Sequence, residues 1–203
     1  MRLFRPCFLA GWLFPEAIFR IKTSDNILCL TFDDGPDPES TPQLLEILDK
    51  HQVRAIFFCC GEAAEKYPHL ADMIKSKGHL KGNHTYSHLN GCLTSAARYC
   101  GDVNRAADFT SCRLFRPPYG CMRLSQYRII KRDYRIVMWD VMPYDFDARF
   151  GSQRSLAILK EKIRPGSIIV LHDTATGSAC DFLDDFIHFA KELKYRFCLP
   201  DFK

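Results

Sequence analysis

Ile27-Leu28-Cys29-Leu30-Thr31-Phe32-Asp33-Asp34-Gly35-Pro36 sets an apolar run against two adjacent carboxylates and a turn. Ile27, Leu28, Leu30 and Phe32 predict a buried strand, and Gly35, Pro36 and Pro38 stop it. Acids at a strand end sit where α/β folds commonly place metal or acid/base chemistry. The same pair also suits an Asx-turn or a helix N-cap, so ligands arriving from elsewhere must decide between the readings.

Working outward, Thr41 and Pro42 open a helix over 42–51 in which Leu44, Leu45, Ile47 and Leu48 recur at helical spacing. Residues 55–60 are a continuous apolar run closed by Gly61, and 62–77 predict one polar-faced helix stopped at Gly78. Further on, 95–109 is amphipathic, 112–115 a short strand, 125–132 a helix and 135–141 a strong strand. A helix over 155–163, a strand over 167–171, a helix over 180–193 and a strand over 196–199 complete the alternation. Such a pattern predicts a parallel sheet with helices outside. About seven strands in this length favour a distorted, incomplete (β/α) barrel over a full eightfold one.

The 203 residues, 47% hydrophobic, suit one catalytic domain over 23–203 behind an N-terminal arm over 1–22. The net charge of +4 is dispersed along the chain, which implies no nucleic-acid partner. Ten cysteines contain no C-x-x-C pair, so a zinc ribbon is excluded. Cys29 and Cys59 fall in core strands, and most of the ten are expected as reduced thiols, the even count leaving disulfides open. In the arm, Arg2 and Arg5 precede Phe8-Leu9-Ala10-Gly11-Trp12-Leu13-Phe14, a run too short to span a bilayer and without a small-x-small cleavage site. It reads as an amphipathic arm packed on the domain, with a membrane-surface segment as the alternative.

Chemistry recurs at four further places. His84 and His88 are spaced i, i+4, so on one helical turn both imidazoles reach a single ion; with the Asp33-Asp34 pair they compose an open two-histidine, one-carboxylate zinc site. Phe115-Arg116-Pro117-Pro118-Tyr119-Gly120 follows an apolar strand with a rigid backbone holding Arg116 and the Tyr119 main chain. Trp139-Asp140 and Asp145 follow another strand, and Ile168-Ile169-Val170-Leu171-His172-Asp173 carries a histidine off a third. Singly, each has a bland reading as turn or core.

Together and in this order, T-F-D-D-G-P, H-T-x-x-H, R-P-P-Y-G, the W-D segment with Asp145 and L-H-D resemble the polysaccharide deacetylase family, carbohydrate esterase family 4, with its NodB homology domain. The resemblance implies a distorted (β/α) barrel that hydrolyses acetyl groups from N-acetylated carbohydrate. One divalent metal is implied, zinc first, with cobalt, nickel and manganese as alternatives. It further implies Asp34, His84 and His88 as metal ligands, Asp33 as general base paired with Arg116, and Tyr119 as backbone donor to the oxyanion. His172 is then the general acid, oriented by Asp145. Where many members carry D-x-x-D-W, this chain has Met142 and Phe146 in place of the first acid and the tryptophan. A non-catalytic carbohydrate-binding relative and a metal phosphohydrolase are the rival readings; a monomer, cytoplasmic or at a membrane surface, is expected for want of a clear export signal.

Overall fold

In this computed structural model, residues 4–6, 8–110 and 112–200 are described; Arg2 lies outside them. Seven strands alternate with helices: β1 (Ile27–Asp34), α2 (Ser40–Lys50), β2 (Ile56–Cys59), α3 (Gly61–Lys66), α4 (Pro68–Ser76) and β3 (Leu80–Asn83) follow the short helix α1 (Phe8–Leu13). Next come α5 (Ala96–Ala106), β4 (Leu114–Phe115), α6 (Leu124–Ile130), β5 (Arg135–Ile136), α7 (Ser152–Lys162), β6 (Ser167–His172), α8 (Ala179–Glu192) and β7 (Arg196–Phe197). The sheet order is β5-β4-β3-β2-β1-β6, with β7 paired to the start of β1, and all these pairings are parallel. It is the curled, incomplete barrel that the alternation predicts.

The predicted strand over 135–141 divides its pairing between two neighbours. Val137 N–H donates to Phe115 O on β4, while Asp140 N–H donates to Ile168 O and Val141 O accepts from Val170 on β6. One segment thus joins the two ends of the curl. Where its ends diverge, the N-terminal arm enters: Ile18 bridges to Val137, and Ile21 N–H donates to Gly166 O. Nearer the mouth, Phe4 O accepts from Met142 N–H at 3.0 Å and Arg5 pairs with Asp140 at 2.6 Å, fixing the segment that leads to Asp145.

Strand alternation sorts the core. Leu28, Leu30 and Phe32 pack outward in a cluster with Leu44, Leu48, Phe182, Leu183 and Phe186 from α2 and α8. Cys29, Ile56, Phe58, Leu114, Val137 and Ile168 form a second cluster inside the curl. On β1 the inward set continues from Cys29 through Thr31 to Asp33, and on β6 from Ile168 through Val170 to His172, so the last inward positions of both strands carry the polar groups. Their register agrees, since Asp33 lies beside His172. Leu30 is fully buried in the outer cluster. Leu30→Ala is therefore expected to cost about 2–5 kcal/mol in denaturant unfolding, and a loss below about 1 kcal/mol would mean that this interface is not a packed core.

Several local expectations need correction. The helix over 62–77 is two helices, because Pro68 forces Tyr67 out of helical geometry at φ −124, ψ 62 and starts α4 afresh. β3 is a strand that periodicity does not announce: Leu80-Lys81-Gly82-Asn83 has one apolar residue, yet its last three are buried. The cysteines need no such correction: among the described ones Cys92 and Cys121 form a disulfide, while Cys29, Cys59, Cys60, Cys100, Cys112, Cys180 and Cys198 are free, and Cys7 lies outside the described residues. No helix among the described residues is long and apolar enough to cross a membrane.

Candidate active site

Adjacent residues of a regular strand face opposite ways, so Asp33 and Asp34 cannot share a site without a break in geometry. Asp34 supplies it with φ +79, a left-handed conformation that aspartate tolerates better than most residues. Asp33 stays inward. Its Oδ1 accepts from Arg116 Nη1 at 2.7 Å, and both groups are buried. The guanidinium is held on every side: Nε donates to Val137 O at 3.0 Å, Nη2 to Met138 O at 2.8 Å and Nη1 to Thr31 Oγ1 at 2.6 Å, with Phe58 beneath the plane at 4.2 Å. A guanidinium so fixed gives Asp33 a charge-assisted hydrogen bond in a set direction. Thr31, two residues before Asp33 on the same face, was not singled out by sequence; its position in the alternation is the signal that finds it.

Asp34 turns instead to His84 and His88. Its Oδ1 lies 3.5 Å from His84 Nε2 and 3.1 Å from His88 Nε2, and the three donor atoms all fall within 4.8 Å of one another. Burial alone would raise the Asp34 carboxyl, but hydrogen bonds from His84 and His88, with the charge of His84 and His172, outweigh it and hold it well below the usual carboxylate range. His84 Nδ1 bonds to Arg116 O at 2.8 Å, a contact that fixes the ring with Nε2 toward Asp34. Two imidazoles and one carboxylate with solvent on one side fit an open divalent-metal site.

The two histidines do not share a helical turn. They lie in a loop after β3 with left-handed φ at Thr85 (+63) and His88 (+50). Asn83 and Asp102 shape that loop: Asn83 Oδ1 accepts from Thr85 N–H at 2.9 Å, and Asp102 Oδ2 accepts from Tyr86 and Ser87 N–H at 2.9 Å each. Neither residue is visible as functional in the sequence, since an Asn and an Asp nineteen positions apart carry no motif.

Across the mouth, the Asp145 carboxylate is fully buried and accepts twice from one residue, at 3.0 Å from His172 Nδ1 and 2.8 Å from His172 N–H. Burial by itself would lower the His172 imidazolium; the charge and hydrogen bond of Asp145, with Asp34 and Asp33 beyond, override it and push it up to about 9. Asp33, Asp34, His84, His88, Tyr119 and His172 line one cavity of about 310 Å³, with Arg116 behind Asp33 and His84 and Asp145 behind His172. Trp139, Met142, Phe146 and Val170 make its apolar wall. Tyr119 has φ +59, and its exposed ring lies 4.7 Å from that of His88. Gly120 follows at φ +61, where a Cβ would meet the Trp139 ring at 2.3 Å. The Cys92–Cys121 disulfide joins the loop after His88 to the turn after Tyr119, so the two edges are covalently tied.

Fold and site together define a (β/α)-barrel protein with an open two-histidine, one-carboxylate cluster at the carboxyl ends of its strands. Residues 20–134 match the polysaccharide deacetylase family, and the chain belongs to that family. A peptidoglycan-N-acetylglucosamine deacetylase of Bacillus cereus is 36% identical over 84% of this chain, which spans 65% of that relative's length. A chitooligosaccharide deacetylase of Azorhizobium caulinodans is 35% identical, with 76% of this chain and 77% of the relative covered. Among solved structures, a peptidoglycan N-acetylglucosamine deacetylase superposes with a TM-score of 0.87 at 32% identity over 93% of both chains. A carbohydrate esterase family 4 pseudoenzyme from Bacillus anthracis superposes at 0.83 and 28% identity, over 90% of this chain and 66% of that one.

Proposed function

We propose that this protein hydrolyses the acetyl group from N-acetylated amino sugars of a peptidoglycan- or chitin-like glycan, using one divalent metal, zinc first. A pseudoenzyme shares the fold, so likeness of fold does not carry this reading. What carries it is the division of labour around one cavity: Asp34, His84 and His88 grouped as ligands, Asp33 kept off that group by Arg116, and His172 opposite with Asp145 behind it.

The metal, when bound, polarises the acetyl carbonyl and lowers the pKa of the attacking water. Asp33, paired with Arg116, accepts the proton of that water. The Tyr119 backbone N–H donates to the oxygen that gains charge, a contact of the kind worth about 2.7–4 kcal/mol in acyl transfer. His172, protonated by its partnership with Asp145, donates to the departing amine nitrogen, without which the amine is a poor leaving group. Phe146 and Met142 beside His172 present apolar surface to the acetyl methyl or a sugar face.

The test is mass-spectrometric detection of acetyl loss across acetylated chitooligosaccharides and peptidoglycan fragments. Chelation is expected to abolish acetate release and zinc to restore it. Chelator-insensitive release would refute the metal, and binding of the saccharides without acetyl loss would favour the non-catalytic reading that Met142 and the pseudoenzyme keep open.

A further inference from the structure

Asp173 belongs to none of the roles above, yet it touches both ends of the segment that presents Asp34. At one end its N–H donates to Asp33 O at 2.8 Å. At the other its carboxylate, 1% exposed, accepts from Ser40 Oγ at 2.5 Å and Thr41 Oγ1 at 2.6 Å, the first two residues of α2. Thr41 Oγ1 also accepts from Asp37 N–H at 2.7 Å, carrying the clasp back into the turn. Between these ends lies Gly35, where a Cβ would stand 2.1 Å from Asp173 Oδ2, so the carboxylate rests directly on the backbone after Asp34.

A buried acid hydrogen-bonded to two neutral hydroxyls is a costly choice for packing alone. Its geometry gives it another use. Asp34 holds φ +79, a conformation an unconstrained chain leaves readily, and the aim of its carboxylate at His84 and His88 depends on that angle. We propose that Asp173 is a positioning residue for the metal site, clasping Asp33 and the start of α2 so that Asp34 stays turned toward the two histidines. The inference rests on reading Asp34 as a metal ligand.

Zinc affinity, measured by competition with a chromophoric chelator on protein shown to be folded by circular dichroism, tests it without recourse to activity. Asp173→Ala is expected to weaken zinc binding 10-fold or more, the scale on which outer-shell support acts. Asp173→Asn, of the same shape and able to bond both hydroxyls as they rotate, is expected to stay within about threefold of the native protein by the same principle of retained support. If Asp173→Ala does not fold, Thr41→Val removes one hydroxyl at constant volume and is expected to weaken zinc in the same direction. Folded Asp173→Ala, or Thr41→Val in its place, binding zinc as tightly as the native chain would overturn the proposal and leave the metal site standing. Failure of the native chain to bind zinc would overturn both.

Discussion

Asp33→Asn is expected to bind zinc with native affinity and to release acetate about 10²–10⁴-fold more slowly, the range a positioned general base contributes. Both halves follow from where the two neighbours point. The cluster able to hold an ion contains Asp34 and not Asp33, so amidation of Asp33 leaves those donor atoms untouched. Asparagine keeps an oxygen for Arg116 Nη1 but has no basic lone pair of a carboxylate to take a proton. A cost in stability accompanies it, because Arg116 is fully buried and loses its counter-charge; breaking such a pair outright costs about 3–5 kcal/mol, and the retained hydrogen bond reduces that. Thermal unfolding beside turnover separates the two effects. Asp34→Ala and His84→Ala give the complementary result, loss of zinc and of turnover together. An Asp33→Asn protein with native turnover would remove Asp33 from the mechanism.

The strand ends were legible because chemistry there interrupts an otherwise apolar run. Asp33-Asp34, Arg116 and His172 each follow buried strand residues, with Asp145 four positions beyond the last paired residue Val141, and a parallel sheet brings such ends to one edge by necessity. The convergence of the two histidines with Asp34 was legible, but not the shape that produces it. An i, i+4 spacing suits a helix, whereas the loop after β3 reaches the same convergence through left-handed residues and side-chain hydrogen bonds to Asn83 and Asp102. Nothing in a one-dimensional period encodes that. β3 was hidden for a related reason: a strand buried by tertiary packing can carry Lys81 and Asn83 when neighbours satisfy them, and Asn83 Nδ2 indeed donates to Val103 O at 2.8 Å. The Cys92–Cys121 pairing was hidden because connectivity among ten cysteines is not a property of their spacing.

Removal of Asp145 separates an orienting role from a structural one through its pH dependence. His172→Ala is expected to lower turnover about 10²–10⁴-fold, the contribution of a general acid. Asp145→Asn is expected to lower it less at acidic pH and to shift the alkaline limb of the rate profile to lower pH. The sign follows from the cause of the native shift. His172 is pushed up to about 9 chiefly by the Asp145 charge and hydrogen bond against the pull of burial; with that charge gone, only the charges of Asp34 and Asp33 oppose burial and the imidazolium releases its proton earlier as pH rises. The same raised value makes a stability contribution that is complete below the ordinary histidine value of 6.5 and is lost as pH climbs through about 9. Asp145→Asn is therefore expected to narrow the thermal-stability difference from the native protein as pH rises across that window. Asparagine can accept from only one of the two His172 donors that the carboxylate serves, so some loss of ring alignment persists at every pH. A uniform drop in rate with an unmoved alkaline limb would mean that Asp145 aligns the ring without setting its charge, and that the proton reaching the amine is not held by this pair.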